Sequence, residues 1–358
     1  DSRQATHFVR INDNAMNQLV NNPLLLNGIS DTTDHLDVVA QYKEKTHGRS
    51  LFGDIMANTQ VSQESKEREL NKYIDIVIQQ YEAMQPEKAK FLIKELKLAK
   101  DNKNYDAANM IIIQLNKTKI YSNEDNENNL RKTKWGEISS IDGFSQGDST
   151  GDCWLLGALQ SICNTQEGRD YINTHVLKDM GDKIQVTLRG HDGQEIQYLL
   201  SKEEIIGNVH LATGDLNARA IEIAARRLMI SQPGYGSIDG NDPSVGYKML
   251  LGSSQPRRER VSDIQIDKFF NTEVRHGRDV QTLRSDSLVS LIPVSGLPEG
   301  GKIESGHAYY IIGVSTDGNT IKLASSWSKD QGKYVSVSRD EIGQYFDIVA
   351  SDRLPQRA

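Results

Sequence analysis

Cys153 stands where a polar, glycine-containing loop changes into an apolar, helix-forming run. The loop is Gln146-Gly-Asp-Ser-Thr-Gly-Asp152, and Trp154-Leu-Leu-Gly-Ala-Leu159 follows the cysteine. This change places Cys153 on the first turn of a buried helix, where unpaired N–H groups and the helix dipole favour a thiolate. A thiolate is the attacking form of cysteine, so Cys153 is a candidate nucleophile. Position alone favours a structural role, because free cysteines are among the most buried residue types.

A cysteine nucleophile needs a base, and His307 has the context that fits this role. The other histidines stand mostly in loops or at polar segment edges, where a solvated imidazole is expected. They are His7, His35, His47, His175, His191, His210 and His276. His307 instead follows Glu304-Ser-Gly306 and opens the apolar run Ala308-Tyr-Tyr-Ile-Ile312. A polar residue at the mouth of a buried strand is well placed to meet a cysteine helix.

The strand after His307 supplies a candidate for the group that orients the imidazole. It ends in Ala324-Ser325-Ser326-Trp327. The Ser325 hydroxyl can accept a hydrogen bond from the imidazole, and the Trp327 ring can shield that contact from water. A cysteine on a helix, a histidine on a strand and a polar residue before tryptophan, in that order, is the papain-like arrangement.

Four segments resemble the protease core of calpains. Gly151-Asp-Cys153-Trp-Leu-Leu-Gly-Ala-Leu159 resembles the nucleophile motif, and Gly306-His307-Ala-Tyr-Tyr310 resembles the histidine motif. The stretch 220–252 resembles the helix–loop–helix between those residues, and 332–346 resembles the segment after the asparagine motif. The resemblance covers about 140–350 with the segments in the family's order.

The resemblance implies a papain-like cysteine protease core with two lobes. Residues 135–212 would form the lobe with the nucleophile helix, and 213–352 the lobe with His307 and a β-sheet. The oxyanion hole would combine the Cys153 backbone N–H with the Gln146 side-chain amide. Gly151, Asp152 and Trp154 would shape the nucleophile loop around it.

Two positions depart from the calpain pattern. Ser325 and Ser326 stand where the family has asparagine and proline before tryptophan, so the shorter Ser325 hydroxyl would orient His307. Gln146 also lies one residue further from Cys153 than in the family, which implies an insertion within Asp148-Ser-Thr150. Both changes concern the efficiency of turnover and leave the nucleophile and base in place.

No cofactor is required by the sequence, and Ca²⁺ is left open as a ligand. Calpains use calcium to align their two lobes, but this chain has no twelve-residue EF-hand loop. The acidic loop Asp239-Gly-Asn-Asp242 is compatible with calcium binding and equally with a solvated turn. The two cysteines, ten residues apart, are expected on one helix about 15 Å apart, too far for a disulfide.

The segments before the core predict a separate helical domain. Residues 1–60 are weakly patterned and are expected to form an irregular arm with one helix. Apolar residues at three- and four-residue steps predict three helices within 61–122, a small bundle for packing or partner docking. The polar run 123–134 is expected to be a linker.

The segments within the core predict an α+β fold. The runs 184–188 and 195–199 around His191-Asp-Gly193 indicate a β-hairpin, and 217–229 and 244–251 indicate helices. Strands are expected at 288–294, 307–314, 320–324 and 334–337. Helices precede strands, which predicts a helical layer against an antiparallel sheet.

Composition excludes some classes of protein. The chain of 358 residues has a net charge of −7 and a mean hydropathy of −0.56. An acidic balance argues against sequence-independent nucleic-acid binding, and no apolar run approaches the roughly 20 residues of a membrane span. Unpaired cysteines favour a reducing, cytoplasmic compartment. The helical domain and the absence of the family's regulatory domains suit a bacterial effector secreted into a host cell.

Three functions fit these residues. The first is a calpain-like endopeptidase acting on protein substrates, with the helical domain recognising a partner or positioning substrate. The second is another acyl transfer, deamidation or transglutamination, at the same Cys153 and His307, because these reactions share a thioester intermediate. The third is a binding scaffold that has lost turnover through the Ser325 and Gln146 changes.

Overall fold

The computed structural model divides the chain into two compact units, 1–119 and 120–358. It describes 8–30, 33–84, 86–117, 123–147, 150–252, 257–260, 274–275, 280–283, 287–293, 303–327 and 332–355. Each unit is described by itself below. None of the described helices combines the length and the apolarity that crossing a membrane requires.

The first unit is helical throughout its described residues. Its α-helices are α1 Asp13–Asn21, α2 His35–Lys45, α3 Leu51–Ala57, α4 Gln63–Met84, α5 Pro86–Asp101 and α6 Tyr105–Lys117, with a 3₁₀ turn at Pro23–Gly28. The bundle of three helices predicted within 61–122 corresponds to α4, α5 and α6. The core between helices contains an edge-to-face contact of Phe52 with Tyr73, with ring centroids 5.3 Å apart.

The prediction of an irregular arm at 1–60 is wrong for the described residues of that range. Three short helices form there, and each begins at a side chain that accepts a backbone N–H: Asn12, Asp34 and Ser50. Helices of seven to eleven residues are marginal alone and depend on packing for their stability. Helices α2 and α3 pack onto α4, and α1 packs onto α2 and the 3₁₀ turn, long-range contacts that the local pattern does not reveal.

The second unit begins with a helix where a linker was expected. Polar residues 123–131 form α7 Asn123–Arg131 rather than unstructured chain. The remaining helices are α8 Cys153–Cys163, α9 Gln166–Tyr171, α10 Lys202–Gly207, α11 Leu216–Ser231, α12 Pro243–Leu251 and α13 Arg339–Tyr345, with a π turn at Ile172–Val176 and a 3₁₀ turn at Pro233–Tyr235. A contact with the core helps to stabilise α7, because the Asn129 side chain accepts the Gly214 N–H at 2.8 Å.

The described strands form three antiparallel sheets. The strands are β1 Phe144–Ser145, β2 Leu177–Asp179, β3 Lys183–Arg189, β4 Glu195–Ser201, β5 Thr213–Gly214, β6 Arg257–Arg260, β7 Val274–Arg275, β8 Val280–Leu283, β9 Ser287–Pro293, β10 Tyr309–Ser315, β11 Thr320–Ser325, β12 Tyr334–Ser338 and β13 Phe346–Arg353. The largest sheet has the order β12-β11-β10-β9-β13-β6, with β8 also paired to β10 and β7 to β8. β2, β3 and β4 form a small sheet whose β3–β4 pair is the predicted hairpin. The second unit is therefore α+β, as the element order predicts.

Helix α8 lies at the centre of this unit. Every residue from Trp154 to Cys163 is buried, as expected for a helix that is apolar on all sides. α12 crosses it at Gly246, where an added Cβ would come within 2.8 Å of the Ala158 Cβ. On another side, the Ala308 Cβ at the entrance of β10 lies 3.7 Å from where a Cβ on Gly157 would be. Small residues thus let the helix approach both elements closely.

Candidate functional site

Cys153 begins helix α8, as the sequence predicts. The Asp152 carbonyl accepts the N–H groups of Leu155 and Leu156 at 3.0 and 3.1 Å, which closes the first turn. The Asp152 side chain makes no capping hydrogen bond and is buried. Cys153 itself is only partly buried, while Cys163 at the other end of the helix is fully buried, and both are free thiols. The partly exposed cysteine is therefore the one that a reactant can reach.

The loop before Cys153 is held by the segment 238–240. The Gly151 N–H donates to the Asp239 carboxylate at 2.7 Å, and its carbonyl accepts the Gly240 N–H at 2.8 Å. The Trp154 indole N–H donates to the Ile238 carbonyl at 2.9 Å. A Cβ on Gly151 would lie 2.2 Å from the Asp239 carboxylate oxygen, so a larger residue would displace the carboxylate that accepts the Gly151 N–H. These contacts explain why glycine and tryptophan flank the cysteine.

The backbone directly after His307 reaches the thiol of Cys153. The N–H of Ala308, the residue after His307, faces the Cys153 sulfur and lowers the pKa of the thiol, as do the N–H groups of Trp154 and Cys153. Burial outweighs these donors, so the pKa of Cys153 is raised. The N–H groups at the helix start therefore favour the thiolate, as expected, but desolvation of the sulfur exceeds their effect.

His307 is enclosed by aromatic rings. Its imidazole stacks on the Trp327 indole with centroids 4.2 Å apart, and it meets the Tyr309 ring edge-on at 5.3 Å. Burial lowers the pKa of His307 to about 4. The Nε2 atom is buried and has no hydrogen-bond partner among the residues that the structure describes. Trp327 therefore covers the imidazole itself, and its predicted shielding of a His307–Ser325 contact stays a prediction.

Ser325 is fully buried at the end of β11, and its hydroxyl oxygen accepts the Trp327 N–H at 3.3 Å. Among the described residues no hydrogen bond joins Ser325 to His307. The contact that Ser325 makes therefore positions the backbone of the tryptophan that covers His307. Direct orientation of the imidazole by Ser325 stays a prediction.

Gln146 is bound to the end of β11 and to the nucleophile loop. Its backbone N–H donates to the Ser326 carbonyl at 2.8 Å, and its side-chain oxygen accepts the Ser326 hydroxyl at 2.6 Å. Its side-chain nitrogen donates to the Thr150 carbonyl at 2.7 Å. The predicted insertion falls on 148–149, which lie outside the described residues. The amide nitrogen nevertheless faces the segment that leads to Cys153.

A pair of buried carboxyl groups lies behind the nucleophile. Burial raises the pKa of Asp152, and burial together with the charge of Asp152 raises the pKa of Glu222 well above its usual range. Glu222 also accepts the Ala212 N–H at 2.7 Å, and the positive charge of Arg226 favours ionised Asp152. Burial and the proximity of a second carboxyl group therefore both disfavour the ionised form of Glu222. Sequence patterns do not predict this pairing, because Asp152 and Glu222 are 70 residues apart.

Sequence reasoning also missed the roles of Ser326 and Asp239. Ser326 was noted only as a replacement for proline, although two adjacent serines at a strand end supply a second hydroxyl. The sequence indicates for Asp239 either a calcium ligand or part of a solvated turn. In the structure its carboxylate accepts the Gly151 N–H, and the Asp242 carboxylate accepts the Ser244 N–H at 2.9 Å as the cap of α12. The carboxylates of the acidic loop thus accept hydrogen bonds from backbone N–H groups.

No set of three or more histidine, cysteine, aspartate or glutamate side chains in the described ranges is arranged to hold a metal ion. The Asp239 and Asp242 carboxylates each accept a backbone N–H, so both side chains have a structural role in this loop. Calcium binding stays open.

Comparison with known proteins gives no family. No protein-family model matches the chain. No curated protein matches it either.

Proposed function

We propose that the chain is a calpain-like cysteine endopeptidase with a papain-like core in 135–352. The observation that carries the proposal is the convergence of three elements. The start of α8 brings Cys153, the entrance of β10 brings the N–H of Ala308, the residue directly after His307, to the Cys153 sulfur, and the end of β11 holds the Gln146 amide toward the same loop. A nucleophile, a base and an oxyanion donor at one place are the parts that acyl transfer requires.

The reaction begins with proton transfer from the Cys153 thiol to the His307 imidazole. The sulfur bonds to the peptide carbonyl carbon, and the carbonyl oxygen takes the negative charge. The Cys153 backbone N–H and the Gln146 side-chain N–H stabilise that oxygen. The imidazolium then gives its proton to the leaving amine as the C–N bond breaks, which leaves a thioester. A water molecule activated by His307 hydrolyses the thioester and frees the thiol.

The environment of the pair sets its resting state. Burial raises the pKa of Cys153 and lowers that of His307, so each group by itself prefers to be neutral. Proton transfer would create two opposite charges side by side, and their attraction offsets the desolvation of each. We infer that the pair rests as thiol and imidazole and ionises as substrate binds.

The neutral resting state of Cys153 and His307 also favours a second candidate, a binding scaffold without turnover. A neutral thiol and an imidazole whose buried Nε2 has no partner among the described residues are also what a decayed site would contain. The two candidates differ in thiol reactivity. A decayed site alkylates as slowly as an ordinary buried thiol, whereas a working pair is accelerated by His307.

Product analysis tests the proposed reaction and separates it from other acyl transfers. The protein is incubated with an unfolded protein substrate, with and without an added primary amine, beside a Cys153→Ala control. Mass spectrometry of the products is expected to show cleaved peptide bonds that the control lacks. Intact chains with glutamine converted to glutamate, or with the amine attached, would instead assign the site to deamidation or transglutamination.

The wider setting follows from the proposal. The substrate would be a protein, and the helical unit 8–117 would dock a partner or present the substrate. A reducing compartment, the cytoplasm or the interior of a host cell, suits a site that depends on a free thiol. Each of these statements depends on the protease assignment.

A further inference from the structure

We propose that Ser326 is the positioning residue of the oxyanion hole. This inference rests on the proposed function and adds to it a residue outside the set of nucleophile, base and imidazole-orienting group. The Ser326 hydroxyl donates to the Gln146 side-chain oxygen at 2.6 Å and is fully buried. In the proposed reaction, Gln146 is the side chain whose amide N–H must point at the oxygen that becomes negatively charged.

The hydrogen bonds decide which way the Gln146 amide faces. The Thr150 carbonyl can only accept, so the amide nitrogen lies on its side at 2.7 Å. The Ser326 hydroxyl then meets the amide oxygen and acts as the donor. Loss of the hydroxyl would leave the amide oxygen without this partner and free the amide to rotate. Ser326 therefore selects the rotamer in which N–H groups face the nucleophile loop.

The Gln146 side-chain amide has enough N–H groups to bind the Thr150 carbonyl and also to stabilise the oxyanion. A side-chain amide nitrogen carries two N–H groups, and Thr150 takes one of them. The second N–H is the donor that we assign to the oxyanion. The bond to Thr150 also ties Gln146 to the loop that leads into Cys153, so the amide and the sulfur move together.

The backbone of Gln146 is anchored independently of the Ser326 side chain. The Gln146 N–H donates to the Ser326 carbonyl, a contact that any residue at 326 preserves. Nearby, the buried Lys333 ammonium donates to the Ile141 carbonyl at 2.6 Å, and the Tyr334 hydroxyl donates to Asp142. A Ser326→Ala substitution is therefore expected to leave the loop in place and to remove only the control of the amide.

The test compares two thiol reagents that differ in their need for the oxyanion hole. A peptide aldehyde forms a tetrahedral adduct whose oxygen occupies the hole, and a panel of N-blocked dipeptide aldehydes serves as the probe. Iodoacetamide alkylates the same sulfur without forming an oxyanion. Both are measured on wild type, Ser326→Ala, Gln146→Ala, the double variant and Ser336→Ala. The last removes an exposed hydroxyl from β12 of the same sheet.

Ser326→Ala is expected to weaken aldehyde binding about three- to tenfold, the effect of one hydrogen bond, with iodoacetamide labelling unchanged. Gln146→Ala is expected to weaken it further, and the double variant to equal Gln146→Ala, because Ser326 acts through Gln146. Ser336→Ala should match wild type. Equal losses with both reagents would show a merely structural role, and unchanged aldehyde binding would show no role. Either result would overturn the role of Ser326 but not the proposed function. Failure of the wild type to bind any aldehyde would overturn both.

Discussion

The imidazole of His307 lies flat against the indole of Trp327, with ring centroids 4.2 Å apart and planes inclined by 25°. Stacking removes water from one face of the imidazole, and burial is the cause of its low pKa. The tryptophan thus contributes to the burial that lowers the pKa of the proposed base.

Replacement of Trp327 by alanine is expected to raise the pKa of His307 from about 4 toward its ordinary value, because water reaches the exposed face. The pKa is measured by NMR titration of the His307 ring. Trp135→Ala is the matched control, since that ring contacts Lys202 rather than His307. A His307 pKa that stays near 4 without Trp327 would show that another contact keeps the imidazole neutral.

The low pKa of His307 also predicts an effect on stability. The unfolded chain binds a proton near pH 6.5 and the folded chain near pH 4, so protonation favours unfolding between these values. Stability is therefore lost as pH falls from about 6.5 to 4, by at most about 3 kcal/mol for this group. His307→Gln should lose less stability than wild type between pH 7 and 4.5 in urea denaturation, although His210, whose pKa is also lowered, keeps part of the dependence. His191→Gln, an exposed control, should behave as wild type; an identical acid slope in His307→Gln would contradict the assignment.

A methyl group at Gly151 is expected to open the nucleophile loop. The added Cβ would lie 2.2 Å from the Asp239 carboxylate oxygen that accepts the Gly151 N–H. Gly151→Ala should lower the rate of Cys153 alkylation by about tenfold or more and destabilise the fold by about 1–3 kcal/mol. Gly28→Ala is the control, because no atom lies within 4 Å of the added carbon there. Unchanged labelling in Gly151→Ala would mean that the loop tolerates a different path.

Replacement of Lys333 is expected to lower the stability of the fold and to have little direct effect on the reaction at Cys153. Its buried ammonium donates to the Ile141 carbonyl at 2.6 Å and lies 3.7 Å from the Asp142 carboxylate. Lys333→Met keeps much of the side-chain volume and removes the charged hydrogen bond, so the free energy of unfolding should fall by about 1.5–3 kcal/mol. Lys322→Met, which removes an exposed lysine over the Tyr334 ring, should cost less than about 1 kcal/mol. Equal costs for the two variants would refute the buried bond.

Elements with strong local patterns could be predicted from the sequence. The apolar run after Cys153 predicts α8, the alternation around His191-Asp-Gly193 predicts the β3–β4 hairpin, and the spacing of apolar residues predicts α4 to α6. The short helices within 8–57 and α7 escaped prediction. Their local signals are weak, and distant contacts such as that of Asn129 with Gly214 stabilise them.

The candidate site could be predicted in its residue types but not in its hydrogen bonds. A cysteine at a helix start and a histidine at a strand entrance are visible in the chain. The partner of Gln146 lies 180 residues away at Ser326, and that of Asp152 lies at Glu222. Such pairs form because the end of β11 meets the loop before α8 and because α11 packs against α8. The direction of the Cys153 pKa was likewise beyond sequence reasoning, since it depends on how deeply the sulfur is buried.

The central claim is that His307 activates Cys153, and labelling of Cys153 by an irreversible thiol-directed peptide inhibitor tests it most directly. Rates are compared for wild type, His307→Ala and the exposed control His191→Ala, each with and without calcium. The account predicts fast labelling of wild type and His191→Ala and a large loss in His307→Ala. A calcium requirement would show that the Cys153–His307 pair is assembled only when the ion is bound. Slow labelling that His307→Ala leaves unchanged, with or without calcium, would contradict an assembled Cys153–His307 pair.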